Sequence, residues 1–269
     1  MIKTTNLKVR YEKNEIIRDF SFDVKPGEII SILGPNGSGK STVLNAIAKF
    51  IAHQHGTIYL DNKDMAKLGV KQTAQKLSVL SQVNTSPEDF TVKDLIYYGR
   101  LPHKKWYEQR NQEDDEIIEW ALKETNLKYL CDKRVSTLSG GERQRVWIAL
   151  SLAQQPKVLM LDEPTTYLDI CHQIEVLDLI KSLNKKLNLT IVMVLHELSH
   201  AARYSDRVLV INNGEIIANG NPKTVLTSEL IKEVYNVDVY IADDEKFGGF
   251  VIVPVKISDK KRSDSGVTL

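Results

Sequence analysis

A glycine-rich segment at residues 34–41, G-P-N-G-S-G-K-S, restricts the possible folds of this chain more than any other feature. It matches the pattern G-x-x-x-x-G-K-[ST], in which backbone N–H groups and a lysine surround phosphate groups. An apolar run at residues 28–33 precedes the segment, and residues 40–52 follow it with helical periodicity. A buried strand that leads through such a loop into a helix predicts an α/β fold with a phosphate ligand at the edge of the sheet.

The loop supplies several groups for the phosphates of ATP. Its glycines let the backbone N–H groups turn inward, and the following helix adds the partial positive charge of its N-terminus. We expect Lys40 to reach the β- and γ-phosphates and the Ser41 hydroxyl to bind Mg²⁺. The predicted phosphate-binding residues are Gly34, Pro35, Asn36, Gly37, Ser38, Gly39, Lys40, Ser41 and Thr42.

A second apolar run, V-L-M-L at residues 158–161, ends in the pair Asp162 and Glu163. Ligands of open α/β sheets bind at the carboxyl ends of the strands, where these side chains would lie. An apolar run followed by two acids can also be a strand that simply meets solvent. Beside the phosphate loop, the pair predicts that Asp162 holds Mg²⁺, through water, and that Glu163 orients or deprotonates the attacking water.

The order of the predicted elements indicates a P-loop NTPase fold of the α/β class, with a mostly parallel sheet covered by helices on both faces. We expect an α/β core at residues 1–83 and 157–257, with an N-terminal antiparallel β portion. A helical subdomain is expected at about 84–156 and a polar tail at 258–269. The dipeptide Asn213-Gly214 predicts a hairpin turn.

The individual elements follow from hydrophobic periodicity and turn residues. The predicted strands lie at residues 20–24, 28–33, 56–61, 77–81, 158–162, 191–195 and 208–211, with a terminal strand pair at 237–257 around Gly248 and Gly249. The predicted helices lie at residues 40–52, 111–123, 139–153, 170–187 and 228–235, and residues 91–155 are helical in character throughout.

Between the phosphate loop and the acidic pair lies L-S-G-G-E-R-Q-R, at residues 138–145. Ser139 and Glu142 fit the S-x-x-E capping box, so this segment can be interpreted as no more than a well-capped helix start. Capping does not explain two consecutive glycines, each of which costs about 1 kcal/mol in a helix interior. Bare glycine amides and a serine hydroxyl at a helix N-terminus predict a second phosphate site.

With these motifs the chain resembles the ATP-binding cassette (ABC) family over nearly its whole length. The resemblance implies that Ser139-Gly140-Gly141 contacts the γ-phosphate bound by the phosphate loop of a second copy. Two chains would then close head to tail around two ATP molecules. The resemblance also implies that Gln82 touches Mg²⁺ and the attacking water, that Asp169 links the two subunits, and that His196 contacts the γ-phosphate.

Tyr11 resembles the aromatic residue that stacks on adenine in this family, although a strand tyrosine packed in the sheet would fit the pattern as well. Three positions depart from the family pattern. Glu142 stands where glutamine is common, Thr166-Tyr167 replaces a pair of small residues, and Glu197 stands where aspartate is common. None of these changes removes a group that handles phosphate, so we expect the chain to hydrolyse ATP.

A competing motif, H-E-x-x-H, occupies residues 196–200. In zinc metalloproteases both histidines of this motif lie on one helical face and bind the metal. Here His196 directly follows an apolar strand pattern, whereas His200 lies inside the next predicted helix. The two histidines would not share a face, so zinc peptidase activity is the minor alternative.

Charge and hydropathy limit the partners that the ATPase could serve. The formal net charge is only +1 over 269 residues, so we expect no nucleic-acid partner. No apolar stretch approaches the roughly 20 residues that cross a bilayer, and the first ten residues lack the apolar centre of a signal peptide. The family resemblance therefore implies a separate, polytopic membrane permease, bound by the face around Gln82 and the helical subdomain.

The segment at residues 91–103, which ends in G-R-L-P-H, resembles the corresponding stretch in importers of iron–siderophore, haem and cobalamin. It can also be interpreted as a simple cap between two helices. The resemblance implies iron-chelate import from the cytoplasmic face of the cell membrane, with a substrate-binding lipoprotein as an indirect partner. A soluble ABC protein of translation or DNA repair, or an exporter subunit, remains the alternative.

Overall fold

The computed structural model describes residues 1–11, 14–244 and 249–258, which alternate between strands and helices. The strands are β1 (Ile2–Tyr11), β2 (Asn14–Val24), β3 (Ile29–Leu33), β4 (His55–Leu60), β5 (Lys63–Asp64), β6 (Leu77–Leu80), β7 (Val158–Asp162), β8 (Thr190–Val194), β9 (Arg207–Asn212), β10 (Glu215–Gly220), β11 (Val237–Asp244) and β12 (Gly249–Ile257). The helices are α1 (Lys40–Ile47), α2 (Val70–Ala74), α3 (Val92–Tyr97), α4 (Gln112–Glu124), α5 (Gly140–Ala153), α6 (Ile170–Leu187), α7 (Leu198–Tyr204), α8 (Pro222–Val225) and α9 (Ser228–Tyr235). Short 3₁₀ turns lie at Met65–Lys67, Tyr98–His103, Lys128–Leu130 and Val135–Thr137.

A six-stranded sheet with the order β10-β9-β3-β8-β7-β6 forms the centre of the molecule. Strands β9, β3, β8, β7 and β6 run parallel, and β10 pairs antiparallel with β9 at one edge. All residues of β3, β7 and β8 are buried, as expected for parallel strands covered on both faces. Because these three strands are neighbours, the segments that follow their carboxyl ends meet at one edge of the sheet.

The two faces of this sheet pack into two apolar clusters. Ile30 and Ile32 of β3 join a cluster that contains Leu44 of α1 and residues of the antiparallel sheet β2-β1-β4-β5. Ile29 and Leu33 join the other cluster, which contains residues of α3 to α7. Alternate residues of one strand thus serve different clusters, and β3 has to be apolar throughout.

The α/β class and most of the predicted elements are confirmed. Helices α6 and α9 have the predicted bounds, and the two-residue turn between β9 and β10 is formed by Asn213 and Gly214, which have φ angles of 49° and 78°. Two positive φ angles in a two-residue hairpin loop are the mark of the turn type that this dipeptide favours.

Helix α1 is shorter than predicted, since it ends at Ile47 instead of Ala52. Lys49 leaves the helix with a φ of 64°, and its ammonium donates hydrogen bonds of 2.9 Å to the carbonyl oxygens of Met65 and Leu68. Lysine has no local tendency to end a helix, so the end of α1 is better explained by these long-range bonds of Lys49.

The N-terminal β portion is longer than predicted, whereas the terminal strand pair is confirmed. The prediction for the N-terminal segment is a strand at residues 20–24, and the structure has a long antiparallel hairpin of β1 and β2. The terminal strands β11 and β12 pair with each other, as predicted, in a separate two-stranded sheet. Gly248, at the predicted turn, lies outside the described residues.

Two further predictions concern the domain organisation. The predicted tail begins with Ser258, which is buried and donates a hydrogen bond of 2.8 Å to Asp238, and residues 259–269 lie outside the described part of the chain. The predicted helical subdomain contains α3, α4 and α5, with 3₁₀ turns between them. Its apolar residues share one cluster with the parallel sheet, and the division at residues 84–156 stays a prediction.

The turn at Gly214 gives a test of this architecture. A Cβ atom at Gly214 would lie 1.9 Å from the carbonyl oxygen of Ile16, and the backbone has a positive φ. We expect Gly214→Ala to lower the free energy of unfolding by about 1–3 kcal/mol or more, because strain and a backbone clash add together. Chemical denaturation measures this change. Gly249→Ala is the matched control, since a Cβ atom there meets open space, and an equal loss in both variants would contradict the explanation.

Candidate active site

The phosphate loop contains glycines in backbone conformations that other residues rarely adopt. It joins β3 to α1, and Gly37 and Gly39 have φ angles of 78° and 102°. A Cβ atom at Gly34 would lie 2.1 Å from the carbonyl oxygen of Ile211, so this residue packs directly on strand β9. The loop and α1 together line a cleft of about 390 Å³, with Ile16 and Glu163 on its other walls. Backbone N–H groups at a helix start facing such a cleft can bind phosphate.

Two side chains of the loop are placed to act on a bound anion. The Lys40 ammonium donates hydrogen bonds to the carbonyl oxygens of Gly34 at 2.9 Å and of Pro35 at 3.0 Å. Burial lowers the pKa of Lys40, and the carboxylates of Glu163 and Asp162 oppose that shift. Among the described residues, the buried Ser38 hydroxyl has no hydrogen-bond partner, which marks an unsatisfied polar atom inside the loop. These features fit a phosphate-binding cradle.

Ser41 and Asp162 form a pair of oxygen donors beside the loop. The Ser41 hydroxyl donates a hydrogen bond of 2.9 Å to Asp162 Oδ1. Burial raises the pKa of the Asp162 carboxyl, the hydrogen bond from Ser41 opposes this shift, and the nearby Glu163 carboxylate adds to it. A hydroxyl, a carboxylate and phosphate oxygens are ligands that Mg²⁺ uses in proteins, so the residues fit this ion.

The carboxylate of Glu163 is held from three sides. Gln82 Nε2 donates to its Oε2 atom at 2.6 Å, the Thr166 hydroxyl donates to the same oxygen at 3.1 Å, and His196 Nε2 lies 2.5 Å from Oε1. Glu163 itself has a φ of 53°, a conformation that few non-glycine residues adopt and that is common at functional sites. Glu163, Gln82 and His196, which are predicted from separate parts of the sequence, thus lie together in the structure.

Sequence reasoning missed two residues of this site. Thr166 was noted only as a departure from the family pattern, yet it binds the Glu163 carboxylate. Its position three residues after the acid was the available signal, because a turn brings such a residue back toward the acid. Ile16 of β2 lines the phosphate cleft, and no local pattern could indicate this contact between distant segments. For Tyr11, the structure describes the backbone as the last residue of β1, and its side chain lies outside the description.

The segment at Ser139 forms the predicted capping box. The Ser139 hydroxyl accepts a hydrogen bond from the Glu142 N–H at 3.3 Å, and the Glu142 carboxylate accepts one from the Ser139 N–H at 2.9 Å. Among the described residues, none of the hydrogen bonds of Ser139 reaches the phosphate loop of the same chain. The predicted second phosphate site is therefore separate from the first within one chain.

Packing against the segment before α6 and its first turn explains why this segment contains glycine, and the sequence did not reveal this contact. A Cβ atom at Gly141 would lie 2.2 Å from the His172 ring, and one at Gly140 would lie 3.3 Å from Leu168. The expected close approach thus occurs within the chain for Gly141, since it lets α5 pack against α6. Asp169 caps α6, and the N–H and imidazole groups of His172 donate to its carboxylate and lower its pKa.

The H-E-x-x-H segment lacks the geometry of a zinc site. His196 follows β8, Glu197 is the N-cap of α7, and only His200 lies in that helix. Within residues 1–11, 14–244 and 249–258 there is no group of three His, Cys, Asp or Glu side chains that could hold a metal. In the same part of the chain, every helix is too short or too polar to cross a bilayer.

A phosphate loop after β3, beside an acid pair at the carboxyl end of β7, defines a nucleotide hydrolase of the P-loop class. Comparison with known proteins narrows this class. Residues 17–166 match the family described as ABC transporter, and the chain belongs to this family. It is therefore an ABC ATPase, a protein that binds and hydrolyses ATP.

Individual relatives cover nearly the whole chain. The petrobactin import ATP-binding protein FpuC of Bacillus anthracis is 42% identical over 260 residues, which cover 97% of this chain and 95% of that protein. A structure described as an inward-facing metal-chelate type ABC transporter is 27% identical, with a TM-score of 0.84 and coverage of 95% of this chain and 97% of that chain. The dimeric ATP-binding cassette MJ0796 bound to ADP and Pi is 28% identical, with a TM-score of 0.71 and coverage of 82% of this chain and 99% of that chain.

The raised pKa of Asp162 leads to a prediction about stability and function. A carboxyl whose folded-state pKa lies above its unfolded value stabilises the fold only at low pH, and this contribution is lost as the pH rises through the folded pKa. At neutral pH we therefore expect Asp162→Asn to leave the free energy of unfolding of the nucleotide-free protein unchanged or higher. Asparagine keeps an oxygen that can accept from Ser41.

The same substitution should lower Mg²⁺-dependent ATP turnover by about 100-fold or more, because the charge on the predicted metal ligand is lost. In the wild type, the Mg²⁺ concentration needed for half-maximal turnover should rise as the pH falls, since a proton competes for Asp162. Thermal denaturation measures the stability of the variant, and turnover assays at several pH values and Mg²⁺ concentrations measure the loss of activity and the Mg²⁺ requirement. A clear loss of stability in Asp162→Asn at neutral pH would contradict the direction of the shift.

Proposed function

We propose that this chain is the ATP-hydrolysing subunit of an importer for an iron chelate of the siderophore type. Two copies would act together on a polytopic permease at the cytoplasmic face of the cell membrane, and a substrate-binding lipoprotein would supply the chelate from outside. The similarity to FpuC, which is named for petrobactin import, and to a metal-chelate type transporter supports this substrate class. The observation that carries the hydrolytic part is the carboxylate of Glu163 held between Gln82 and His196.

The proposed reaction uses the protein groups around this carboxylate. Glu163 accepts a proton from the attacking water, and Gln82 and Thr166 keep the carboxylate oriented through the hydrogen bonds that they donate. Lys40 exchanges its bonds to loop carbonyls for bonds to phosphate oxygens, which suits an ammonium already removed from bulk water. His196 lies against the same carboxylate and is placed to position the γ-phosphate.

Magnesium would be held by the Ser41 hydroxyl and the Asp162 carboxylate, and by Gln82 through its amide oxygen. The bond from Gln82 to Glu163 uses the amide nitrogen, so the oxygen stays available for a metal. When bound, this ion neutralises charge on the β- and γ-phosphates. The requirement for Mg²⁺ is part of the proposal and follows from the oxygen-donor chemistry of these residues.

A second copy of the chain is needed for the proposed site. Ser139-Gly140-Gly141 presents a capped helix start away from its own phosphate loop, where the partner's nucleotide would bind. Close to it, Tyr167 and Ile170 expose 89% and 76% of their surface, and Tyr167 has a φ of 65°. Two large apolar side chains exposed beside the Asp169 cap suit a subunit interface. The structure of the ATP-binding cassette MJ0796 is described as dimeric, which supports a two-copy assembly here.

The permease would bind in a groove next to the strand that leads to Gln82. This groove has a volume of about 240 Å³ and lies between the end of α1, α2 and β6. Phe50 and Val70 line it and expose 62% and 84% of their surface, so apolar area is open to a partner. An apolar helix from the permease fits this chemistry, and its movement would reach Gln82 through β6.

The role of Glu163 can be tested with the isosteric variant Glu163→Gln. We expect turnover to fall by about 10²–10⁴-fold, because glutamine cannot take the proton from water. ATP binding should persist, since Lys40 and the loop are unchanged, and an ATP-bound dimer should accumulate. Turnover assays and size-exclusion chromatography with ATP measure these outcomes.

Ser139→Arg gives the complementary test of the two-chain site. An arginine at the helix start would block the partner's nucleotide, so turnover and dimer formation should be lost while one chain still binds ATP. A variant of Glu163 that keeps most of its activity would contradict its role as the base. Loss of ATP binding by a single chain carrying Ser139→Arg would contradict the head-to-tail arrangement.

The permease groove gives a separate prediction. Phe50→Glu should weaken binding to permease-containing membranes by about tenfold or more, because an exposed aromatic at the centre of an interface carries much of its affinity. Uptake of radioactive iron–siderophore by cells should fall in parallel, and ATP binding should not change. Tyr240→Glu, an exposed aromatic on the terminal sheet, is the matched control. Unchanged uptake with Phe50→Glu would contradict the groove as the permease-binding site. Association of the wild type with ribosomes or DNA instead of membranes would contradict the proposed transport role.

A further inference from the structure

The carboxyl end of α5 is bound by the segment G-R-L-P-H, which the proposed reaction does not use. Arg100 Nη1 donates to the carbonyl oxygen of Ala153 at 3.0 Å, and His103 Nε2 donates to that of Gln154 at 2.8 Å. The last carbonyl groups of a helix have no partners within the helix, so these two bonds cap α5. The segment is therefore more than a simple cap between two neighbouring helices, because the helix end that it caps belongs to α5, which is distant in the sequence.

The contact between this segment and α5 is tight and polar. A Cβ atom at Gly99 would lie 2.3 Å from the carbonyl oxygen of Leu150, so the segment lies flush on the last turn of α5. The Arg100 side chain is only 3% exposed and also donates to Asp114 at 3.2 Å, and Asp114 accepts from Lys104 at 2.7 Å. A buried charge with every partner in place holds a single geometry, because losing any partner is costly.

Gln154 extends this contact to the parallel sheet. Its amide oxygen accepts a hydrogen bond of 3.0 Å from the Ser78 hydroxyl, and its Nε2 donates to the carbonyl oxygen of Leu77 at 2.9 Å and to that of Ala74. A single half-buried amide thus joins the end of α5 to β6 and to the end of α2. Strand β6 ends at Leu80, two residues before Gln82, which donates to the Glu163 carboxylate.

We propose that Gln154 is a positioning residue for the reaction, because it fixes the helix that begins at Ser139 relative to the strand that leads to Gln82. This inference rests on the proposed two-chain hydrolysis. Helix α5 has 14 residues and is therefore about 21 Å long. A tilt of only about 5° at its carboxyl end would displace Ser139 by about 2 Å, which is enough to misplace a group that must touch the partner's phosphate.

The test uses the full-length protein with Gln154→Leu, which keeps the size of the side chain and removes its hydrogen bonds. We expect turnover at saturating ATP to fall by about tenfold or more, while the affinity of a single chain for ATP stays unchanged. In the Glu163→Gln background, the same change should weaken ATP-dependent dimer formation. Gln112→Leu is the matched control, because Gln112 is exposed on α4 and, within the described part of the chain, its side chain bonds only to Glu116.

A second variant covers the case in which Gln154→Leu does not fold. Ser78→Ala removes only the donor to the Gln154 oxygen, and we expect a smaller fall in turnover with unchanged ATP affinity. Turnover equal to that of the wild type in both folded variants would overturn the proposal, and so would a parallel loss of single-chain ATP affinity. Absence of ATP turnover in the wild type would instead contradict the proposed function.

Discussion

The nucleotide site depends on close backbone packing at the carboxyl edge of the parallel sheet. Gly34 lies against the carbonyl oxygen of Ile211 at the end of β9, and Gly214 lies against that of Ile16 in β2. The Gly214 N–H also donates to the carbonyl oxygen of Ser38. The loop is therefore held between two hairpins by contacts that leave no space for a side chain. Its N–H groups are oriented before any phosphate arrives, which lowers the ordering cost of binding.

This rigid edge makes it possible to bury charges close together. Lys40, Asp162 and Glu163 lie within one small region, and burial disfavours the charged forms of Lys40 and Asp162. The hydrogen bond from Ser41 offsets part of that cost for Asp162, and the bonds from Gln82 and Thr166 orient the Glu163 carboxylate. The pKa of Asp162 is nevertheless raised, because burial outweighs the hydrogen bond from Ser41 and the attraction of the nearby Lys40 ammonium. The site thus sacrifices some stability for affinity toward a charged ligand, as functional sites commonly do.

Features that depend on local periodicity could be predicted from the sequence, and features that depend on long-range contacts could not. The phosphate loop, the strand before it and α6 follow from short patterns of glycine and apolar residues. The end of α1 at Ile47 depends on bonds from Lys49 to a distant turn. Among the candidate site residues, Ile16 could not be predicted because its contact with the phosphate cleft arises only when distant segments meet. Thr166 contacts Glu163 within a local turn, so its spacing of three residues was a signal that sequence reasoning did not use.

The two glycines after Ser139 show how one chain can prepare a site that it does not complete. Gly141 allows α5 to pack on His172, which is itself bonded to the Asp169 cap of α6. This contact places the starts of α5 and α6 next to each other, so the Ser139 hydroxyl and the exposed Tyr167 belong to one surface. Gly140 has more space, with a Cβ atom 3.3 Å from Leu168, and its amide can face a ligand. Packing within the chain thus fixes the surface that a second copy would meet. Closure of two copies would then need little further ordering, and ATP binding energy could be used to hold them together.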